Sequence, residues 1–255
     1  MKPNIFFLNL DSMRSDKFTG ETKTAITPNL DKLLKNSTFF SQCVSSGDGT
    51  VISLNALFNA QFPFRIGTRA ETLIFKNNNC VEILKKSGYK IYGFVPNFFA
   101  FTKFLNFCEN ENAGFRHIRQ RNKVELEGIL DGVGKKMIEL LDSNKMKEPW
   151  FFYIHAEDLH FPYAVPKEFD SEKFGENPYE RILSALDQWI GNILEKIDTS
   201  NTLIIISGDH GHLIPFENKG TRDFEPEFKT ELNMGKKLMP HSTHKIGAKM
   251  FVGLR

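Results

Sequence analysis

The chain has 255 residues, 40% hydrophobic and 25% charged, with a formal charge of +2. That length holds one large domain with a buried core, and the near-neutral charge removes nucleic acid and anionic membrane surfaces from the expected partners. Three scattered cysteines, Cys43, Cys80 and Cys108, with no C-x-x-C pair, exclude a disulfide framework and a cysteine-held zinc knuckle.

Residues 4–10 form a compact apolar run that ends at Asp11, which predicts a buried strand. This run is too short for a signal-peptide core or a bilayer span, and nothing later approaches a span. As written the chain reads as cytoplasmic, and as periplasmic or extracellular if an anchor or signal has been removed. Thr27-Pro28-Asn29 opens a helix through Leu30, Leu33 and Leu34, with Pro28 suited to its first turn. Residues 37–44 read as a second strand, and residues 51–59 as a short helix that begins just after Gly47-Asp48-Gly49-Thr50. Residues 81–86 are helical, Gly88 ends that helix, and residues 90–95 are a strand. The Phe-rich stretch 97–112 reads as core packing. Apolar residues at helical spacing follow over 124–141, then a strand at 150–155 and an amphipathic helix at 179–197. A very apolar strand at 202–207 and a final strand at 248–254 complete the chain. This alternation predicts an α/β fold with a mostly parallel sheet covered by helices on both faces. Ligands in such folds bind beyond the carboxyl ends of the strands.

The chemistry-bearing residues collect at those ends. Asp11 closes the first strand, and Asp209 and His210 close the strand at 202–207 within Ser207-Gly208-Asp209-His210-Gly211-His212. Carboxylates and an imidazole converging there suit a divalent metal, although each alone also suits a turn or helix cap. In Ser45-Ser46-Gly47-Asp48-Gly49-Thr50 two glycines allow close backbone approach to a ligand. Thr50 begins a helix, where backbone N–H groups favour an anion, so it is a nucleophile if a metal lowers its pKa and a helix cap otherwise. His155-Ala156-Glu157-Asp158-Leu159-His160-Phe161-Pro162-Tyr163 follows another strand and offers an acid for a leaving group, or a structural histidine. His241 and His244 lie in a polar loop.

Together these motifs resemble the alkaline-phosphatase/sulfatase superfamily over nearly the whole chain. The segment from Pro3 to Asp16 looks like the family's first strand with its metal-binding Asp and trailing Arg-x-Asp, and Thr27-Pro28-Asn29-Leu30-Asp31-Lys32-Leu33 resembles its "TPNLDxL" helix. Phe62-Pro63-Phe64-Arg65-Ile66-Gly67 resembles "YPHRHG", which places Thr50 where sulfatases carry the Cys of C-x-P-S-R. Ser207 to Gly211 is similar to the "SDHG" metal motif, His160-Phe161-Pro162-Tyr163 to "HxPY", and residues 179–197, with Asp187 inside, to the helix before the metal strand.

The resemblance implies an alkaline-phosphatase-like three-layer sandwich, with residues 1–255 as one catalytic domain. The chain stops just after its last predicted strand, where relatives continue, which suits either a compact version or a fragment. Sulfatases mature a Cys or Ser to formylglycine and need the following Pro and Arg; here the stretch is Thr50-Val51-Ile52-Ser53-Leu54. A Thr beside an Asp-His metal pair is similar instead to the phosphoethanolamine, phosphoglycerol and lipoteichoic-acid transferase branch, which acts on phosphodiesters through a phospho-threonine. The implied metal ligands are Asp11, Thr50, Asp209 and His210, holding Mn²⁺, Mg²⁺ or Zn²⁺, with one ion expected and two allowed. Thr50 and His160 are the expected catalytic pair, and Asp158, His212 and His244 are further candidates for substrate contact. The expected partner is a small-molecule, glycan or lipid phosphate ester. A sulfate-ester hydrolase and a non-catalytic binding protein with the same fold are the alternatives.

Overall fold

In a computed structural model of the chain, residues 2–67, 72–120 and 123–212 are described. They belong to one unit, Met1–His212; a second, Leu213–Arg255, lies outside them, as do the expected strand at 248–254 and His244.

The strands are β1 (Asn4–Leu10), β2 (Lys90–Pro96), β3 (Gly114–Phe115), β4 (His117–Gln120), β5 (Lys123–Leu126), β6 (Trp150–Ala156) and β7 (Thr202–Gly208). The helices are α1 (Ser15–Phe18), α2 (Pro28–Lys35), α3 (Thr50–Asn59), α4 (Pro63–Ile66), α5 (Cys80–Lys86), α6 (Thr102–Leu105), α7 (Gly134–Asp142) and α8 (Pro178–Leu194). Five strands form one parallel sheet in the order β3-β2-β6-β1-β7. β4 and β5 make a separate antiparallel pair. The unbroken apolar runs of β1 and β6 are those of strands covered on both faces, and every residue of β6 is buried.

Phe151 and Tyr153 of β6 pack with Leu54 and Phe58 of α3, Val81 of α5, and Phe101 and Phe104. The rings of Phe58 and Phe104 lie 5.2 and 5.0 Å from that of Tyr153. Most of the Phe-rich stretch is therefore core, as its composition suggests, although Phe99 is exposed. Side chains of the other parity, Phe6, Leu8, Phe152 and Ile154, are equally buried. α8 buries Ile182, Leu186, Ile190 and Ile193 along one stripe. It begins at an Asn177 cap that accepts from the Glu180 N–H, with Pro178 in the first turn. From this helix Asp187 accepts the N–H groups of Asn29 and Leu30 and so caps α2.

Two expectations are corrected. Residues 37–44 are exposed and irregular rather than a strand. The Ser37-Thr38-Phe39-Phe40 stretch pairs with no described strand, and Phe40 stands 75% exposed. The stretch 124–141 is not one helix. It divides into β5, an irregular turn over 129–133 with Gly132 at φ 108°, and α7. Asp158 draws the N–H groups of Ile129 and Leu130 to its carboxylate, which fixes that turn.

Candidate active site

The parallel register brings three strand ends level. Asn9 pairs with His155 on one side and with Ser207 on the other, and the Asp11 N–H continues the ladder to the Ala156 carbonyl at 2.9 Å. Asp11 and the Asp209-His210 pair therefore leave adjacent strands at one height. Ser12 then reverses the chain at φ 65° while fully buried. Its N–H donates to Asp209 Oδ1 at 3.2 Å and its hydroxyl to Asp11 Oδ1 at 2.8 Å.

Thr50 reaches the same point from the first position of α3. Gly49 precedes it in extended backbone and offers no side-chain cap, so the first N–H groups of the helix are left for a ligand. Thr50 Oγ1 lies 3.2 Å from Asp11 Oδ2 and 3.2 Å from His210 Nε2. His210 Nδ1 donates to the Gly211 carbonyl at 2.7 Å, which turns the lone pair of Nε2 toward the carboxylates. That nitrogen is 3.5 Å from Asp11 Oδ1 and 3.7 Å from Asp209 Oδ2.

His155 completes the cluster from β6, fully buried, with Nε2 3.3 Å from Asp11 Oδ2 and Nδ1 3.0 Å from the Asn9 amide. When the Asn9 NH₂ donates to Nδ1, the His155 proton sits on Nε2 and goes to Asp11. In the flipped amide Nδ1–H donates to the Asn9 oxygen, and Nε2 becomes a third ligand. Ligand atoms of Asp11, His155 and Asp209 all lie within 4.8 Å of one another.

The electrostatics of this cluster ask for a cation. Burial disfavours the charged form of Asp11, but the His155 hydrogen bond and the nearby imidazoles of His155, His160 and His210 hold its carboxyl well below the usual range. Burial pushes Asp209 the other way, and the charge of Asp11 adds to that rise. Burial lowers the His155 imidazole, yet the hydrogen bond and charge of Asp11 raise it overall. Asp209 Oδ2 is buried with no hydrogen-bond partner among the described residues. An orphaned carboxylate oxygen facing an imidazole lone pair and a second carboxylate is costly unless a positive ion joins them. Asp11, His155 and Asp209 therefore fit a divalent cation, with His210 Nε2 and Thr50 Oγ1 close beside them.

The remaining expected residues divide. His160 is near enough for its charge to lower the Asp11 pKa; its Nδ1 donates to the Phe161 carbonyl at 2.7 Å, and its ring lies 5.2 Å from that of His212. His212 also accepts a hydrogen bond from Arg14 through its backbone carbonyl. Asp158 accepts the N–H groups at 129 and 130 with its two oxygens and lines a small cavity with His160. His155 is the residue that sequence reading passed over. It stood in a quoted strand-end motif, but its role follows from the β1–β6 register, which a single sequence does not print. A cleft of about 450 Å³ lined by Gln61, Arg65, Phe75, Lys76 and Asn77 shares no residue with this site.

The family profile described as Sulfatase matches residues 3–240. A stretch of 92 residues, 34% of the chain, is 33% identical to an N-acetylgalactosamine-6-O-sulfatase of Bacteroides thetaiotaomicron and spans 18% of that protein. Over 82% of the chain, the identity to an uncharacterized protein of Haemophilus influenzae is 24%, spanning 32% of its length. Among solved structures, the C-terminal periplasmic domain of EcEptC from Escherichia coli, in complex with Zn, superposes with a TM-score of 0.60 at 18% identity over 83% of this chain and 64% of that one. The phosphonate monoester hydrolase of Agrobacterium radiobacter gives 0.61 at 14% identity, over 82% of this chain and 63% of that one. The chain thus spans about a third or less of these curated relatives and under two thirds of these solved structures.

Proposed function

The chain belongs to the sulfatase family, and from that premise we propose that it is a metal-dependent hydrolase or transferase of phosphate esters, working through a covalent intermediate on Thr50. The observation that carries this reading is the placement of the Thr50 hydroxyl, 3.2 Å from both Asp11 Oδ2 and His210 Nε2, at an uncapped helix N-terminus. A bound divalent ion would lower the pKa of that hydroxyl and offset charge on the ester oxygens.

The chain's own groups supply the rest. The N–H groups opening α3 hold the equatorial oxygens of the ester. Thr50 Oγ1 bonds to phosphorus as its proton leaves toward Asp11 Oδ2, the carboxylate oxygen it faces at 3.2 Å. The P–O bond to the leaving alcohol breaks on the opposite side, and His160 gives that oxygen a proton. Water or an acceptor alcohol then adds to phosphorus as its proton passes to His160, the P–O bond to Thr50 breaks, and Oγ1 takes its proton back from Asp11 Oδ2.

Phosphodiesters of the phosphoethanolamine or phosphoglycerol type, carried on a small molecule, glycan or lipid, are the proposed substrates. Threonine cannot be matured to formylglycine, and the signature's arginine position holds Leu54, which is fully buried in the core. The stretch shared with a galactosamine sulfatase favours a second reading, hydrolysis of sulfate esters. Turnover of an aryl phosphate, an aryl phosphodiester and an aryl sulfate, with mass spectrometry of Thr50, separates the two. A phosphorylated Thr50 and preferred diester turnover are expected; a clear preference for the sulfate overturns the proposal.

A further inference from the structure

The loop before Thr50 carries a hydroxyl pair that the mechanism above does not use. Ser45 Oγ lies 2.6 Å from the backbone carbonyl of Asp209, 2.6 Å from that of Gly47 and 2.9 Å from Ser53 Oγ. Ser53 Oγ is also 3.0 Å from the Gly47 carbonyl, and the Gly47 N–H donates to Ser45 Oγ at 3.3 Å. Two hydroxyl protons serve these contacts, so the pair runs either as a chain, Ser53 to Ser45 to the Asp209 carbonyl, or with one proton turned to Gly47. Ser53 sits three residues past Thr50 on the same face of the helix, and is buried. Gly47 closes the loop onto that turn: a Cβ there would stand 2.4 Å from the Ile52 Cγ2.

The loop and the first turn of α3 are thereby pinned to the backbone of a residue whose carboxylate faces the ion site. We infer that Ser45 and Ser53 are positioning residues that hold the Thr50 hydroxyl in register with the Asp209-His210 pair. The inference rests on the reading of Thr50 as nucleophile and ion ligand. Neither serine touches the reacting atoms; they act through the placement of Thr50 and of the Asp209 loop. A loosened nucleophile loses rate steeply, since a displacement near 1 Å costs on the order of 100-fold.

Ser45 is exposed, so its hydroxyl can be removed or a methyl added without disturbing the core. The test uses the full chain, Mn²⁺ calorimetry and turnover of bis-(p-nitrophenyl) phosphate. In Ser45→Ala, Mn²⁺ affinity is expected to fall about five- to tenfold and kcat about 10- to 100-fold, with KM and Tm little changed. Ser45→Thr, which keeps the hydroxyl, is expected to restore both to within about threefold. Wild-type Mn²⁺ affinity in Ser45→Ala overturns the inference, whether or not the diester is turned over. Thr50→Ala in the same assay separates the two readings. Full turnover in that variant ends the nucleophile assignment, whereas an inactive Thr50→Ala beside an unaffected Ser45→Ala ends the positioning role alone.

Discussion

The Thr50 hydroxyl has one proton and two acceptors at equal distance, an arrangement that serves poorly as a helix cap and well as a poised nucleophile. Thr50→Ala is expected to lower kcat/KM by about 10³-fold or more at unchanged Tm, read from steady-state kinetics beside a thermal melt. Asp209 carries the orphaned oxygen, and Asp209→Asn is expected to weaken Mn²⁺ binding at least about tenfold. Because burial and Asp11 raise the Asp209 pKa, protons compete with the ion at pH values above the ordinary carboxylate range. Affinity in the wild type should therefore decline earlier on acidification than an unperturbed carboxylate would allow, as calorimetry across pH will show. Asp158 makes a separate statement about stability. Burial pushes its pKa up to about 6 against two helpful backbone hydrogen bonds. A carboxyl raised in the folded state contributes stability below its unfolded pKa, and that contribution is lost as pH rises through about 6. Asp158→Asn keeps one acceptor and cannot ionise, so its urea stability should fall by roughly 2 kcal/mol less than wild type's between pH 4 and pH 7.

At the scale of elements, α3 is fixed at both ends. Its first turn is held by the serine pair, and farther along it Asn55 and Asn59 act as a surrogate strand edge. Asn55 exchanges hydrogen bonds with the Thr72 carbonyl and Ile74 N–H, and Asn59 with the Ile74 carbonyl and Lys76 N–H. Asn55 is fully buried, and Asn55→Ala takes two hydrogen bonds from the backbone of exposed Thr72 and half-buried Ile74. It should cost about 1–3 kcal/mol by urea denaturation, two bonds lost at typical net values. Sequence pattern was enough to read β1, β2, β6, β7, α3 and α8, because each is a long apolar run or a clean helical stripe. Asp11, Thr50, Asp209 and His210 stood out as candidates because each abuts one of those runs. The pattern failed where the answer lay in a partner strand. Residues 37–44 carry strand-like side chains yet pair with no described strand, and His155 looks like any strand-end histidine until register sets it against Asn9. The Asn55–Asn59 ladder left no trace in hydrophobic periodicity, since both asparagines spend their amides on backbone.

For the molecule as a whole, the candidate ligands come from β1, α3, β6 and the end of β7, so an ion there ties together segments nearly 200 residues apart in sequence. Ligand that binds the folded chain and not the unfolded one adds about 2.7 kcal/mol at a hundredfold excess over Kd. For a domain of this size that corresponds to a rise of roughly 5–10 °C in Tm with Mn²⁺ or Zn²⁺ over the chelated protein, by differential scanning calorimetry. No described helix is long and apolar enough to cross a membrane. The left-handed backbone at Ser12 gives this architecture a built-in conflict of interests. Glycine would sit at φ 65° with less strain, yet it would take from Asp11 the hydroxyl proton that steadies it. A chain selected for durability alone would drift toward glycine at this position, and one selected for turnover would keep the awkward serine.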